Sequence, residues 1–307
     1  MPFLYLRSDG QYPSTLKTPI YQNADYVTMK IIMDVDLDST LGCGQAHRWH
    51  KTDDSWQGVL GDEVITLTQT DDGFICEGTD NENLILDYFR SDDDLDAIYS
   101  DISSKDSFVK ELVNNCKGMR ILNQPHWECI ATYIIATNAN VKRIGAMVES
   151  VCREFGRDIG GRYSFPTPEE IVSKKERICN CRLGYRESRF IEFAEKVYNG
   201  EFDPDSLENL PYGECVTELL KIKGVGPKVA DCIALFSYGH LNAFPIDARI
   251  ENVLRDIYGM EGSYRKLSKF AFEKFGEYAG YAQEFLYHSE FIESQTQAGS
   301  EQPNSTS

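Results

Sequence analysis

Apolar and polar positions change their period about a third of the way along the chain. In the first hundred residues the pattern is that of strands: residues 26–37 are β-branched and apolar, and runs at 64–70 and 74–76 flank Asp71-Asp72-Gly73. Two such runs joined by acidic residues and a glycine predict a hairpin, and hence an antiparallel sheet. From Asp106 onward apolar residues recur at intervals of three and four through 108–116, 127–137, 144–155 and 190–197, the spacing of amphipathic helices. The segment 291–307, rich in Ser, Gln, Thr, Asn and Glu, buries too little apolar surface to fold. The pattern therefore predicts an α+β chain. An N-terminal antiparallel β domain spans 1–104, a helical domain spans 105–290, and 291–307 form a disordered tail.

Composition changes this picture in one respect. A chain of 307 residues that is 41% hydrophobic can bury a substantial core, but its net charge of −18 repels nucleic acid at long range. The charge is unevenly spread, with 20 acidic against 7 basic residues over 1–105. Between 142 and 189 eleven basic residues face seven acidic ones, and over 221–249 there are four against two. A basic face on an acidic body is compatible with those counts. The nine cysteines are scattered rather than framed in pairs, and no charged-then-apolar leader is found. The expectation is reduced thiols in an intracellular protein, in the cytoplasm or nucleoid of a prokaryote or the nucleus of a eukaryote. No apolar run approaches the roughly 18 residues of a membrane span, so no membrane partner is expected.

The chemistry is concentrated at 212–236, where Leu219-Leu220-Lys221-Ile222-Lys223-Gly224-Val225-Gly226-Pro227-Lys228-Val229 reads as helix, glycine turn, helix. Gly224 and Gly226 permit positive φ, and Pro227 suits a first helical position. Such a hairpin presents backbone N–H groups at a helix N-terminus, a favourable seat for a DNA phosphate. A bare Gly-x-Gly between helices is also an ordinary αα-corner, so spacing alone leaves both readings open. Lys228 stands in the first turn of the second helix, and Asp247 follows in Phe244-Pro245-Ile246-Asp247-Ala248-Arg249. Helix terminus and partial burial are expected to lower the lysine pKa and free a nucleophilic amine.

This combination resembles the helix-hairpin-helix, Gly/Pro-rich loop, Asp superfamily of DNA glycosylases. There the lysine at the Lys228 position attacks C1′ of the damaged nucleotide, and the aspartate at the Asp247 position assists. The Schiff base so formed permits β-elimination, which implies a bifunctional glycosylase and lyase. Iron–sulfur relatives carry four clustered cysteines after the aspartate, whereas the last cysteine here, Cys232, precedes it.

From about Gly42 to about Phe291 the chain resembles the eukaryotic-type 8-oxoguanine DNA glycosylase family. Gly44-Gln45-Ala46-His47-Arg48-Trp49, Trp56-Gln57-Gly58-Val59-Leu60 and Leu67-Thr68-Gln69-Thr70 match its N-terminal domain. Gly44 then corresponds to the glycine whose carbonyl accepts from N7–H of 8-oxoguanine, a proton that guanine lacks. Cys232, Gln283 and Tyr287 match the lesion pocket, although Cys232 read alone is a core thiol and Gln283 read alone an incidental residue of an amphipathic helix. The segments around Asn138 and Arg143 and around Tyr185 and Arg186 match those that fill the gap and grip the orphaned cytosine, implying a preference for 8-oxoguanine opposite cytosine. Gly224, Gly226, Val229 and Arg249 are the expected phosphate contacts. Four positions depart from the family: Ala139 replaces Asn, His47 and Tyr287 replace Phe, and Arg249 replaces His. The resemblance implies a monomer that acts on double-stranded DNA without metal or organic cofactor. Two other readings remain at this point, a helix-hairpin-helix glycosylase with another lesion specificity, such as an alkylpurine enzyme, and a non-catalytic DNA-binding protein.

Overall fold

The computed structural model describes residues 20–23 and 26–300. Six antiparallel strands form one sheet: β1 (Ile20–Asn23), β2 (Tyr26–Ile32), β3 (His50–Lys51), β4 (Trp56–Leu60), β5 (Glu63–Thr70) and β6 (Gly73–Glu77), in the order β1-β2-β6-β5-β4-β3. In the expected hairpin Thr70 pairs with Gly73, so Asp71 and Asp72 alone make the turn. The apolar face of the sheet (Met29, Ile31, Ile65, Leu67, Phe74) packs on Ile85, Tyr88 and Phe89.

The first hundred residues are less uniformly strand than their pattern predicts. They also hold helices α1 (Leu37–Leu41), α2 (Glu82–Tyr88) and α3 (Leu95–Lys105), so Leu37 opens a helix instead of closing a strand. All three are announced by caps, and α3 also by the apolar spacing of Leu95, Ile98, Tyr99 and Ile102. Asp36, Asn81 and Asp94 each accept a backbone N–H three residues on. Part of the acidic load is thus helix capping.

The helical expectations are met by α4 (Ser107–Asn115), α5 (His126–Ala136), α6 (Val141–Phe155) and, beyond the short α7 (Pro168–Val172), α8 (Glu187–Tyr198). There follow α9 (Tyr212–Leu219), α10 (Pro227–Phe236), α11 (Ala248–Tyr258), α12 (Tyr264–Phe275) and α13 (Ala279–Ser300). The last helix enters the stretch expected to be without structure. Residues 291–300 extend a helix already nucleated by its packed first turns, and propagation needs far less than nucleation does. The remainder of that stretch, 301–307, lies outside the described residues. Among the described residues no helix is long and apolar enough to cross a membrane.

The two cores interleave along the sequence. Leu95, Ile98, Tyr99 and Ile102 of α3 belong to the helical core, whereas Leu122 returns to the core of the sheet. Buried amides lock the halves together. The Gln45 side chain donates to the Thr40 and Arg120 carbonyls (2.9 Å each) and accepts from the Leu122 N–H (2.8 Å). Gln124 Nε2 in turn donates to the Gln45 carbonyl at 2.8 Å, and the Gln124 N–H donates to the Phe236 carbonyl at 2.7 Å. The loop carrying Gly44 is thereby fixed to the end of α10.

Candidate active site

Lys228 owes its position to the hairpin. The turn between α9 and α10 needs Gly224 at φ +97°, a left-handed conformation that a Cβ would strain. Gly226 departs from expectation: it is the N-cap of α10 with φ −102°, a value other residues adopt. What its missing side chain gives is access, because no protein atom lies within 4 Å of where a Cβ would project. The cap has no side-chain acceptor, and Pro227 occupies the first turn, so the N–H groups of Lys228 and Val229 keep no intrahelical partner.

A cavity of about 650 Å³ opens beside this turn and receives residues from both halves of the chain. Lys228, Val229 and Cys232 enter it from α10, Asp247 and Arg249 from the start of α11, Gln283 and Tyr287 from α13, and Gly44 from the sheet side. Lys228 and Cys232 are four residues apart and so share a helix face, as do Gln283 and Tyr287. Asp247 is held rigidly: its Oδ1 caps α11 by accepting from the N–H groups of Arg249 and Ile250, both at 3.0 Å. Tyr287 is braced by Arg249, whose Nη1 donates to the phenol oxygen at 3.2 Å. Gly44 has φ +95°, and a Cβ there would stand 3.2 Å from Val141 Cγ2.

The electrostatics correct one expectation. Burial does push the Lys228 amine toward neutrality, but Cys232, Asp247 and Glu284 outweigh it and hold the pKa above the ordinary lysine value. The ammonium also lies 5.7 Å from the Tyr133 ring centroid, a cation–π contact. Burial raises the Cys232 thiol to about 11 even beside this cation. His47 is pushed down to about 4 by burial and by Lys228, so it is neutral at physiological pH. Three buried atoms on the cavity lining have no hydrogen-bond partner: His47 Nδ1, Gln283 Oε1 and Glu284 Oε2. Buried polar atoms are ordinarily paired, so their convergence on one cavity marks it as a ligand site.

The second group of expected residues is built differently and stands at the rim. Asn138 adopts φ +53°, and its amide donates to the Tyr185 hydroxyl at 3.1 Å, which donates to the Thr137 carbonyl at 3.0 Å. Arg186 is buried. Its Nε donates to Thr137 O (2.8 Å), its Nη1 to Leu183 O (3.3 Å), and its Nη2 to Asn138 O (3.1 Å) and also to Thr137 O. Arg143 is exposed in the first turn of α6. Sequence reasoning missed Arg189, whose guanidinium lies 5.1 Å from the Tyr185 ring centroid and whose Cδ packs against Gly224. It also missed Tyr133, Cys43 and Glu284 on the cavity wall. Glu284, an acid within the apolar run 281–286, was the one with a visible signal.

Comparison with known proteins places this geometry. The profile of the 8-oxoguanine DNA glycosylase N-terminal domain matches residues 29–130. The N-glycosylase/DNA lyase OGG1 of Arabidopsis thaliana is 30% identical over 285 residues, covering 84% of this chain and 78% of that protein. The solved structure of MBOgg1 with a low-affinity DNA ligand superposes with a TM-score of 0.84 at 32% identity, over 91% of this chain and 100% of that one. The Clostridium acetobutylicum 8-oxoguanine glycosylase/lyase, bound to double-stranded DNA with cytosine opposite 8-oxoguanine, gives a TM-score of 0.83 at 28% identity, over 90% and 98% of the two chains. The antiparallel sheet followed by a helical region is thus a fold shared with these DNA glycosylases over nearly the whole chain. The chain belongs to the 8-oxoguanine N-glycosylase/DNA lyase family.

Proposed function

We propose that this protein excises 8-oxoguanine lying opposite cytosine in duplex DNA and nicks the strand at the resulting site, working as a monomer through a Schiff base on Lys228. The observation that carries the reading is the meeting of Lys228, Asp247 and the unpartnered acceptors of Gln283 and Glu284 in one cavity large enough for a flipped purine. The N–H groups at the start of α10, around Gly224, Gly226 and Val229, hold a phosphate, with Arg249 as a second cationic contact. Asn138 and Tyr185 fill the vacated stack, while Arg143 and Arg186 face the cytosine. In the cavity the base lies between Cys232 and Tyr287, Gln283 Oε1 accepts from its Watson–Crick edge, and Gly44 reads N7–H.

Once deprotonated, Lys228 Nζ forms a bond to C1′ as the glycosidic bond breaks and its electron pair leaves with the base. Asp247, fixed at the α11 N-terminus, faces the positive charge that develops on the sugar. Ring opening gives the Schiff base. Loss of a C2′ proton then expels the 3′ phosphate.

Borohydride trapping on duplexes with 8-oxoguanine opposite C or opposite A tests the reading. A covalent complex is expected with the parent protein, weaker opposite A, and none with Lys228→Gln, whose excision falls below about one thousandth of the parent rate. No complex with the parent protein refutes the lysine mechanism and favours a monofunctional glycosylase or a DNA-binding protein.

A further inference from the structure

We propose that Glu284 accepts the proton that Lys228 must lose before its amine can attack, making it a positioning residue for the nucleophile. This rests on the lysine mechanism proposed above. Glu284 lies on α13 among Tyr281, Ala282, Phe285 and Leu286, all fully buried, and is itself 3% exposed. A carboxyl group in such a place is costly, and this one lines the cavity that holds Lys228, with Oε2 lacking any hydrogen-bond partner.

The groups around it exclude the other acceptors. Cys43 meets its carboxyl from the loop after α1, Lys228 and Cys232 face it from α10, Asp247 from the start of α11, Tyr133 from α5, and Tyr287 from its own helix. Lys228 is the cation of this set. Burial holds the Cys43 and Cys232 thiols high and protonated, and neutral His47 is too weak a base. Asp247 has one oxygen committed to two backbone N–H groups. Glu284 has an open oxygen, and burial, opposed by Cys43 and Lys228, raises its carboxyl to about 7. A proton acceptor works best with a pKa near the working pH.

In the free protein the carboxylate and the ammonium face one another across the cavity. When a base enters and expels water, the proton passes from Nζ to Oε2, leaving a neutral amine and a neutral carboxylic acid with the net charge unchanged. The acid holds the proton until the departing purine takes it.

Glu284→Gln keeps the shape of the side chain and removes the acceptor. Single-turnover excision opposite C is measured from about pH 5.5 to about pH 10. The parent rate is expected to rise through about pH 7 and level off. The variant is expected to be at least about tenfold slower at neutral pH, to lack the step near 7, and to approach the parent where solvent deprotonates the lysine. Matching profiles within about twofold overturn the proposal while leaving the lysine mechanism intact. Failure of the parent to trap at all removes the mechanism itself. Should the variant fold poorly, ¹³C carboxyl NMR of the parent decides: a glutamate titrating near 7 that moves in Lys228→Gln supports the assignment, and its absence overturns it.

Discussion

The cavity at Lys228 and the rim around Asn138, Tyr185 and Arg186 meet at the segment 137–141, yet they treat polar groups in opposite ways. The cavity leaves His47 Nδ1, Gln283 Oε1 and Glu284 Oε2 buried without partners. At the rim, by contrast, Asn138, Tyr185 and Arg186 bond one another and the 137–138 carbonyls. Polar atoms that line a cavity without bonding to the protein are available to a ligand. The rim is bonded within the protein, and gripping a cytosine, as proposed above, would require Arg186 to give up part of that bonding. On the proposed function, the lesion is read by fit and its partner by rearrangement.

Three substitutions test that contrast. The largest effect is expected from Gly44→Ala, which forces a left-handed alanine at φ +95° against Val141 and deforms a preformed wall. Excision measured in single turnover should fall about a hundredfold, with a folding cost of about 1–2 kcal/mol. A rate within a few-fold of the parent would show that the wall adapts. Arg186→Ala should act on discrimination instead. Lesion binding should persist while the preference for C over A opposite the lesion drops about tenfold, alongside a loss of about 2–3 kcal/mol in urea denaturation as the turn carbonyls lose their donor.

The smallest effect should be a gain. Glu284 stands at about 7 in the folded protein against 4.5 when unfolded. The folded state therefore keeps a proton that the unfolded chain releases, and stability falls as pH rises from 4.5 to 7 and stays lower above. Glu284→Gln has no proton to lose, so its melting temperature should exceed the parent's by roughly 5 °C at about pH 8, the gain shrinking toward pH 4.5. An unchanged melting temperature at pH 8 would mean that the cavity tolerates the carboxylate without strain.

Much of this architecture is legible in the chain. The spacing of apolar residues gives α4, α6 and α8 because each buries one stripe, while α5 is buried on every side from Cys129 to Ile135, and the Gly224 turn is read from its glycine because only a left-handed conformer closes it. Lys228 with Cys232, and Gln283 with Tyr287, fall at four-residue spacing and share their cavity for that reason. What escapes the sequence depends on long-range contact. Gln45 looks like any polar loop residue until Arg120 and Leu122 return to bond it. The direction of the Lys228 shift is set by Cys232 one turn on, and then by Asp247 and Glu284 from other helices, and no local pattern reveals the last two. Helices α1 and α2 rest on single capping side chains rather than on a repeat, whereas α3 has both a cap and the buried stripe Leu95, Ile98, Tyr99 and Ile102.

The Gln45 and Gln124 clamp has one further consequence. On the function proposed above, Gly44, which reads N7–H, and the groups that cut, Lys228 and Asp247, are supplied by different stretches of chain, the loop after α1 and the hairpin with the start of α11, joined through a few buried amides. Substrate range can drift by changes in the loop while the cutting machinery stands unaltered, as long as the clamp keeps the two in register.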